Sequence, residues 1–465
     1  MTQSYQDFLK TKTHTSEAAG FDVTDNNLNS NLFEFQRDIV RWSLRRGRAA
    51  IFANTGMGKT IQQLAWADQV HRYTNKKVLL LAPLAVSYQT KREGEKFGIE
   101  SFICNTQADV KHGINITNYQ KLHKFDTSDF DAIVLDESSI IKAYDGKTRT
   151  LIIDTFERMP YRLACTATPA PNDFMELGNH AEFLGVMSRA EMLAKYFVHD
   201  GGDTSQWRLK GHAEDEFWRW VASWAVMLRK PSDLGYCDNG FILPSLNIHE
   251  IVIPSDKPSE GYLFPMEAKG LNEQRQARRE SLDDRVGACV KLIDDHTKDE
   301  PWIIWCDLNS EADLLEKQIK GAVQIAGRHD DAFKEQAMID FTEGKFKRLV
   351  TKPKIAGHGM NWQHCNNVVF VGISHSWEAY FQAIRRCWRF GQAKEVNCYI
   401  IISEREGAVL ENIKRKERDA ERMGNMMVKY MTEINKANLH NNQWQYDDYN
   451  PAVEMRIPEW LRSEI

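Results

Sequence analysis

The chain has 465 residues and a net charge of −5, with 42% hydrophobic and 27% charged residues, which indicates a globular protein of roughly two to four domains. Eight scattered cysteines without a Cys-x-x-Cys pair exclude a recognisable zinc site. No apolar run approaches the ~20 residues of a membrane-spanning helix, so we expect no membrane partner. Residues 1–10 carry no secretory signal, so we expect a cytoplasmic protein. The net charge does not indicate nucleic-acid binding, and any such binding must come from local patches.

Residues 1–30 are rich in Thr, Ser, Asn and Asp and lack apolar periodicity, which predicts a flexible or loosely docked arm. Helical patterning begins beyond this arm and contains the pair Phe35 and Gln36. An aromatic–glutamine pair shortly before a phosphate-binding loop can stack on adenine and read its edge through the amide, so we predict that Gln36 contacts adenine. The alternative is a surface glutamine on an amphipathic helix.

A short apolar strand at 49–53 runs into the loop Asn-Thr-Gly-Met-Gly-Lys-Thr, which opens a helix. Gly56 and Gly58 let backbone N–H groups turn inward, and the helix N-terminus favours an anion. Lys59 would then reach the β- and γ-phosphates of ATP, and Thr60 would hold Mg²⁺. The generic pattern has glycine where this chain has Ala53, and the match alone is also compatible with an ordinary turn.

Two further apolar strands, at 78–81 and 114–119, end in loops that contain Pro83 and Tyr119. In a parallel α/β sheet, ligands bind at the carboxyl ends of the strands. These loops are therefore placed to touch a partner, although either is also compatible with a plain connection.

Polar side chains follow the next two strands as well. The strand at 132–135 ends in Asp136 and Glu137, which suit Mg²⁺ coordination and general-base catalysis; paired acids are also common at helix starts. The strand at 161–165 delivers Thr166 and Thr168, whose hydroxyls either link the Mg²⁺ site to the other side of a cleft or cap a turn.

Residues 214–230 place Trp220, Trp224 and Leu228 at helical spacing, a stripe that favours core packing. The Pro-, Gly- and Ser-rich segment 231–265 looks like the passage between lobes. A second α/β pattern follows, without a phosphate loop of its own. Its predicted strands are 302–306, 322–325, 348–351, 368–371 and 397–402.

Residues 378–389 form a basic segment near the end of this second pattern. If they are helical, Gln382, Arg386 and Arg389 share one face, whereas Arg385 points elsewhere. Two guanidinium groups on one face need carboxylates or a phosphate, for which arginine is well suited. A surface basic helix is the alternative. The charged run 412–422 predicts a further long helix with a solvated face.

In chain order, these segments resemble the motifs of superfamily two helicases. The set comprises Phe-Gln, Asn-Thr-Gly-Met-Gly-Lys-Thr, Asp-Glu-Ser-Ser, Thr-Ala-Thr-Pro, Gly-His-Gly-Met-Asn and Gln-Ala-Ile-Arg-Arg-Cys-Trp-Arg-Phe-Gly-Gln, and it covers about residues 31–410. More narrowly, the chain looks like the Swi/Snf-type branch of ATP-driven DNA translocases, and like its short bacterial and phage members. The family usually has Asp-Glu-x-His where this chain has Asp-Glu-Ser-Ser, so we expect a different link to the third motif.

The resemblance implies an α/β fold of two tandem RecA-like domains, each a parallel sheet flanked by helices, with an ATP cleft between them. We expect the first lobe at 31–254, the second at 255–425 and a C-terminal tail at 426–465. Arg386 and Arg389 would act as arginine fingers from the second lobe. The expected site residues are Lys59, Glu137, Arg386 and Arg389 for catalysis, Gln36, Gly56, Gly58, Lys59, Thr60, Gly359 and Asn361 at the nucleotide, and Thr60 and Asp136 at Mg²⁺.

The resulting hypothesis is an ATP-dependent DNA helicase or translocase that hydrolyses ATP on binding DNA and moves along duplex. The residues expected to contact DNA are Pro83, Tyr119, Thr166, Thr168, Lys352 and Lys354. One alternative is a DNA- or protein-binding subunit that ATP only switches, without strand separation. An RNA-stimulated helicase is another. A separate nuclease domain finds no support, because no remaining segment is long enough to hold one.

Overall fold

The computed structural model describes residues 18–142, 146–171, 173–200, 203–254, 271–296, 299–357 and 360–439. They form two lobes, each built on a parallel β-sheet that is flanked by helices. The predicted α/β fold of two tandem domains is confirmed. Parts of the predicted arm and tail, residues 1–17 and 440–465, lie outside the described residues.

The first lobe contains the phosphate loop and the acidic pair. Its strands are β1 (Arg48–Ala53), β2 (Lys77–Ala82), β3 (Ser101–Ile103), β4 (Ile114–Asn118), β5 (Phe130–Asp136), β6 (Tyr161–Thr166), β7 (Phe197–Asp200), β8 (Asp203–Leu209) and β9 (Ala225–Leu228). Its α-helices are α1 (Glu34–Arg46), α2 (Lys59–Thr74), α3 (Leu84–Lys96), α4 (Lys147–Phe156), α5 (Leu177–Leu184), α6 (Arg189–Tyr196) and α7 (Glu214–Ala222).

The sheet of the first lobe has the order β3-β4-β2-β5-β6-β1-β9, and β7 and β8 form a separate antiparallel pair. Successive residues of the central strands pack into two different apolar clusters, as Ile51 and Phe52 of β1 do. Both faces of the sheet are therefore covered, which is why its strands read as continuous apolar runs. Their carboxyl ends bring the loops after β1, β5 and β6 to one edge.

The helix predicted over 214–230 is wrong in its second half. Helix α7 ends at Ala222, and Ala225–Leu228 is instead an edge strand paired in parallel with β1. Trp220 and Trp224 are both buried, which confirms their predicted place in the core. Pairing with β1, a contact distant in sequence, overrides the local helical spacing.

The second lobe carries the arginine segment. Its strands are β10 (Leu246–Ile253), β11 (Trp302–Cys306), β12 (Ala322–Ile325), β13 (Arg348–Thr351), β14 (Asn367–Val371) and β15 (Val396–Ser403). Its α-helices are α8 (Leu271–Glu280), α9 (Leu282–Asp294), α10 (Asn309–Gln318), α11 (Asp331–Thr342), α12 (Pro353–Ala356), α13 (Trp377–Ile384) and α14 (Gly407–Leu439). None of the helices in the described ranges has the length and hydrophobicity needed to cross a bilayer.

The sheet of the second lobe has the order β10-β15-β14-β11-β13-β12, and all its pairs are parallel. Strand β10 pairs with β15 along its whole length, from Leu246 opposite Val396 to Ile253 opposite Ser403. The chain therefore enters the second sheet before residue 254, the predicted end of the first lobe.

Helix α14 joins the two lobes. Near its start, Leu410 and Ile413 pack in the core of the second lobe. Farther along, Met427 and Met431 pack in the core of the first. The predicted long helix is thus present, but its apolar stripe is buried against both lobes and only the remaining face is solvated.

Candidate active site at the lobe junction

The loop between β1 and α2 has the backbone of a phosphate cradle. Gly56 has φ 92° and Gly58 has φ 75°, both in the region that favours glycine. A Cβ on Gly58 would lie 2.3 Å from Nε2 of Gln36, and one on Gly56 would lie 3.0 Å from the backbone nitrogen of Phe390. The glycines are therefore required by close packing as well as by backbone conformation, and the second lobe reaches the loop at Phe390.

Lys59 opens α2, and its Nζ donates a hydrogen bond of 3.0 Å to the carbonyl of Ala53. Burial lowers the pKa of Lys59, and the charges of Glu137 and Asp136 oppose that shift. Thr60 follows in the same turn and is partly exposed. The ammonium group of Lys59 thus lies at the phosphate loop and feels the charges of the acidic pair, as phosphate binding requires.

Gln36 lies beneath the loop rather than in an open adenine site. Its Nε2 donates to the carbonyl of Met57 at 3.0 Å, and its Oε1 accepts from the backbone N–H of Phe33 at 3.0 Å. Its exposed fraction is 3%. The predicted reading of adenine by Gln36 is therefore not what this geometry provides, because a buried amide is first satisfied by nearby backbone groups.

Asp136 and Glu137 lie at the carboxyl end of β5. Oδ1 of Asp136 accepts hydrogen bonds from Nε2 of Gln63 at 2.7 Å and from the N–H of Glu137 at 3.1 Å. Burial, followed by the charge of Glu137, raises the pKa of Asp136 to about 6. Gln63 was not predicted, although a polar residue one turn after Lys59 on the same helix face is a usable signal.

Glu137 has two features of a functional residue. Its φ of 53° places a non-glycine residue in the left-handed region, a strain of about 1–3 kcal/mol that is common at active sites. Its Oε2 is buried and has no hydrogen-bond partner among the described residues. A buried acidic pair with one unsatisfied oxygen fits a divalent cation and a bound water. The described ranges contain no group of three or more His, Cys, Asp or Glu side chains placed to bind a metal ion by themselves.

The arginines reach the site by a different route from the one predicted. Helix α13 ends at Ile384, so Arg386 and Arg389 lie in the turns after it and do not share a helix face. Their Nη1 atoms nevertheless converge on the carbonyl of Met360, at 3.3 Å and 3.4 Å. Burial lowers the pKa of both groups, and the charge of Glu137 opposes the shift in each. The negative charge of Glu137, the general-base candidate, therefore acts on both guanidinium groups.

Arg385 stacks on two aromatic rings of the second lobe, and burial, followed by the charges of Arg229 and Arg389, lowers its pKa to about 10. That it points away from the other two arginines stays a prediction. Its guanidinium carbon lies 4.2 Å from the ring centroid of Trp388 and 4.9 Å from that of Phe381. The side chain is 7% exposed. Its role is therefore packing within the second lobe.

Three residues predicted to contact DNA are buried in the first lobe, and one of them supports the acidic pair. Tyr119 is 7% exposed and its hydroxyl donates to the carbonyl of Asp136 at 2.6 Å. Thr166 is fully buried, and its hydroxyl accepts from the N–H of Thr168 at 3.1 Å. Tyr119 and Thr166 therefore do not face a groove, whereas Oγ1 of Thr168 is buried without a partner among the described residues.

The remaining predicted residues are scattered around the junction. Pro83 precedes α3 and is partly exposed, and Lys354 is exposed. Nζ of Lys352 donates to the carbonyl of Asp307 at 2.7 Å. Nδ2 of Asn361 lies 3.4 Å from Oε1 of Glu93 in the first lobe, which is a long contact. Gly359 lies outside the described residues.

A cavity of about 210 Å³ lies between the lobes and is lined by residues of both. Its lining from the first lobe includes Tyr88, Asn118 and Lys121, and from the second lobe Asp331 and Glu335. None of the six residues predicted to contact DNA appears in the described lining of this cavity. The second-lobe side of the cavity is acidic.

Two family models match this chain. The first, "Type III restriction enzyme, res subunit", matches residues 26–171, and the second, "Helicase conserved C-terminal domain", matches residues 284–391. The chain is a superfamily two helicase-family protein. Lys59 and Glu137 of this helicase fall within the first match, and Arg386 and Arg389 fall within the second. These paired domains make the helicase an ATP hydrolase.

Two relatives are similar to this chain. Protein p41 of Acyrthosiphon pisum secondary endosymbiont phage 1 is 24% identical over 425 residues, which are 77% of this chain and 89% of that protein. The SWI/SNF-related matrix-associated actin-dependent regulator of chromatin subfamily A-like protein 1 of Xenopus tropicalis is 29% identical over 131 residues, which are 25% of this chain and 14% of that protein. These likenesses agree with the Swi/Snf-type resemblance of the sequence motifs.

The structure of the ATP-dependent Type ISP restriction-modification enzyme LlaBIII bound to DNA superposes with a TM-score of 0.52 at 14% identity. The match covers 83% of the helicase but only 30% of the LlaBIII chain. This likeness supports the two-lobe fold alone.

Proposed function

We propose that this helicase hydrolyses ATP at the lobe junction when it binds DNA, and that it uses hydrolysis to move along duplex. One observation carries the proposal. The phosphate loop of the first lobe meets the second lobe beside Arg389, since a Cβ on Gly56 would lie 3.0 Å from the backbone nitrogen of Phe390. The charge of Glu137, whose buried Oε2 has no partner among the described residues, acts on both Arg386 and Arg389. A protein that only binds ATP needs neither a general base from one lobe nor two arginines from the other.

Each group has a role in this proposal. Backbone N–H groups of the loop around Gly56 and Gly58 bind the phosphates together with Lys59. Thr60 and Asp136 hold Mg²⁺, which when bound offsets the charge of the phosphate oxygens.

Hydrolysis then depends on groups from both lobes. Glu137 orients the attacking water and accepts its proton. Arg386 and Arg389 stabilise the charge that spreads over the transferring group. Because base and fingers come from different lobes, turnover depends on how the lobes are held together.

DNA binding is proposed from chemistry and from relatives. The LlaBIII enzyme was solved bound to DNA, and the Swi/Snf likeness points the same way. In the cavity between the lobes, Asp331 and Glu335 would repel a phosphate backbone, whereas Asn118 and Lys121 suit it. We therefore place the DNA backbone nearer the first lobe. Few side chains there can read base edges, so binding should be largely independent of sequence.

The deciding experiment measures ATP turnover in parallel without nucleic acid and with single-stranded DNA, duplex DNA and RNA. We expect duplex DNA to stimulate turnover most. Stimulation by RNA alone would favour an RNA helicase. Nucleic-acid affinity that changes with ATP in the absence of turnover would favour a switched binding subunit.

A further inference from the structure

Glu378 of the second lobe bridges to the segment that follows Glu137 in the first. Its Oε1 accepts a hydrogen bond of 3.1 Å from the hydroxyl of Ser139, and its Oε2 pairs with Nζ of Lys142. The side chains of Glu378 and Lys142 are 21% and 31% exposed, so solvent screens their attraction only in part. Glu378 lies outside the motifs that carry the family resemblance.

The first-lobe end of this bridge is firmly anchored. Residues 138–141 form a single short turn that starts directly after Glu137. Ile141 within it is fully buried, and the carbonyl of Lys142 accepts from Nδ2 of Asn179 at 2.8 Å. The hydroxyl of Ser138 lies 3.0 Å from Nε2 of His180. A force on Lys142 or Ser139 is therefore transmitted to the backbone of the acidic pair.

The second-lobe end is equally fixed. Glu378 lies in the first turn of α13, where the hydroxyl of Ser376 caps the helix by accepting from the N–H of Ala379 at 3.2 Å. A carboxylate is favoured at this end of a helix. Trp377 and Tyr380 bury the opposite side of the turn in the second-lobe core. The far end of α13 leads directly into the turn that presents Arg386.

We propose that Glu378 is a positioning residue, whose bridge to Ser139 and Lys142 fixes the placement of the arginines relative to Glu137. This inference rests on the proposed function, since it concerns the same reaction. The bridge spans the two rigid elements that lead to the base and to the fingers. A displacement of about 1 Å at a reacting centre can cost on the order of 10²-fold in rate. Loss of the bridge should therefore lower kcat and leave ATP binding to the phosphate loop nearly intact.

The test is a charge swap. Glu378→Lys and Lys142→Glu each place like charges in contact, and each should lower kcat by roughly 10- to 100-fold while the KM for ATP changes little. The double variant restores an ion pair of reversed sense and should recover turnover to within about 5-fold of the original protein. Glu343→Gln is the matched control, because Glu343 is an exposed second-lobe glutamate that pairs with Lys345 at 3.0 Å.

A second measurement is independent of hydrolysis. In the absence of ATP, Glu378→Ala should speed amide hydrogen exchange in residues 138–142 and 376–384, which belong to different lobes, while the Glu343→Gln control should not. Single effects that simply multiply in the double variant, or unchanged exchange in residues 138–142, would overturn the inference. An original protein with no turnover under any nucleic-acid condition would instead refute the proposed function, and the exchange measurement would still decide the bridge.

Discussion

The hydroxyl of Tyr119, at the end of β4, donates a 2.6 Å hydrogen bond to the backbone carbonyl of Asp136, at the end of β5. Burial raises the pKa of Tyr119 well above its usual value, and the charge of Asp136 adds to the shift. The phenol is therefore protonated and acts as a donor. A residue that its sequence position assigns to DNA contact thus holds the backbone of the acidic pair.

Tyr119→Phe should lower ATP turnover by about 2- to 10-fold, which corresponds to the loss of one buried hydrogen bond. DNA affinity should stay unchanged, because the ring remains in place. Steady-state hydrolysis and DNA binding by fluorescence anisotropy measure the two effects. Tyr73→Phe is the matched control, since Tyr73 is 61% exposed and is not among the described residues that line the cavity between the lobes. Weaker DNA binding with normal turnover in Tyr119→Phe would restore the role in DNA contact.

Glu137→Gln should retain ATP binding and lose ~10²–10⁴-fold in turnover, as expected when a general base is removed. The amide keeps the size of the side chain but cannot accept the proton from water. Titration with a fluorescent ATP analogue checks binding, and phosphate release checks turnover. Near-normal turnover in this variant would refute the assignment of Glu137.

Arg389→Ala should reduce hydrolysis by on the order of 10³-fold with little change in ATP affinity, because an arginine finger acts on the transition state. Its Nε has no partner among the described residues, whereas Arg386 is also bonded to Gln382, so Arg389 is the cleaner position to test. Arg385→Ala is the control. It should lower the melting temperature, and it should reduce turnover much less than Arg389→Ala does. If Arg385→Ala damages hydrolysis more than Arg389→Ala does, the assignment of the fingers is wrong.

His180 is buried beside the segment that follows the acidic pair, with its Nε2 3.0 Å from the hydroxyl of Ser138. Burial lowers its pKa to about 4, so the folded state holds it neutral. The unfolded chain binds a proton at its ordinary pKa near ~6.5, so this term destabilises the fold as the pH falls from there towards 4.

Urea unfolding between pH 7 and pH 4.5 should show that the protein loses up to about 1.4 kcal/mol per pH unit relative to His180→Gln. The comparison with the variant isolates His180 from Asp136, whose raised pKa acts in the opposite direction. Parallel pH profiles of the two proteins would show that His180 is not held neutral.

If the protein moves along duplex DNA, it should displace the third strand of a triplex and separate few base pairs of the duplex. Triplex displacement and forked-duplex unwinding should be compared under one ATP regime. DNA affinity should also fall by at least about 10-fold between roughly 50 and 200 mM salt, since the phosphate backbone dominates binding. Robust fork unwinding without triplex displacement would instead identify a strand-separating helicase.

The sequence alone determined the local features of this helicase. Apolar runs such as 78–81 and 302–306 predicted strands that β2 and β11 reproduce, because strands buried on both faces leave a direct compositional signal. The phosphate loop and the acidic pair are likewise set by short segments whose chemistry needs adjacent residues. Their association at one edge follows from parallel strand order.

The tertiary structure decided whatever depends on distant partners. The amide of Gln36 and the hydroxyl of Tyr119 bond to backbone carbonyls of Met57 and Asp136, because buried polar groups take the partners that folding brings near. Helix α13 ends before Arg386, and the arginines still converge because turns, not a helix face, aim them. The bridge from Glu378 to Lys142 joins residues from opposite lobes, and no local pattern encodes such a contact.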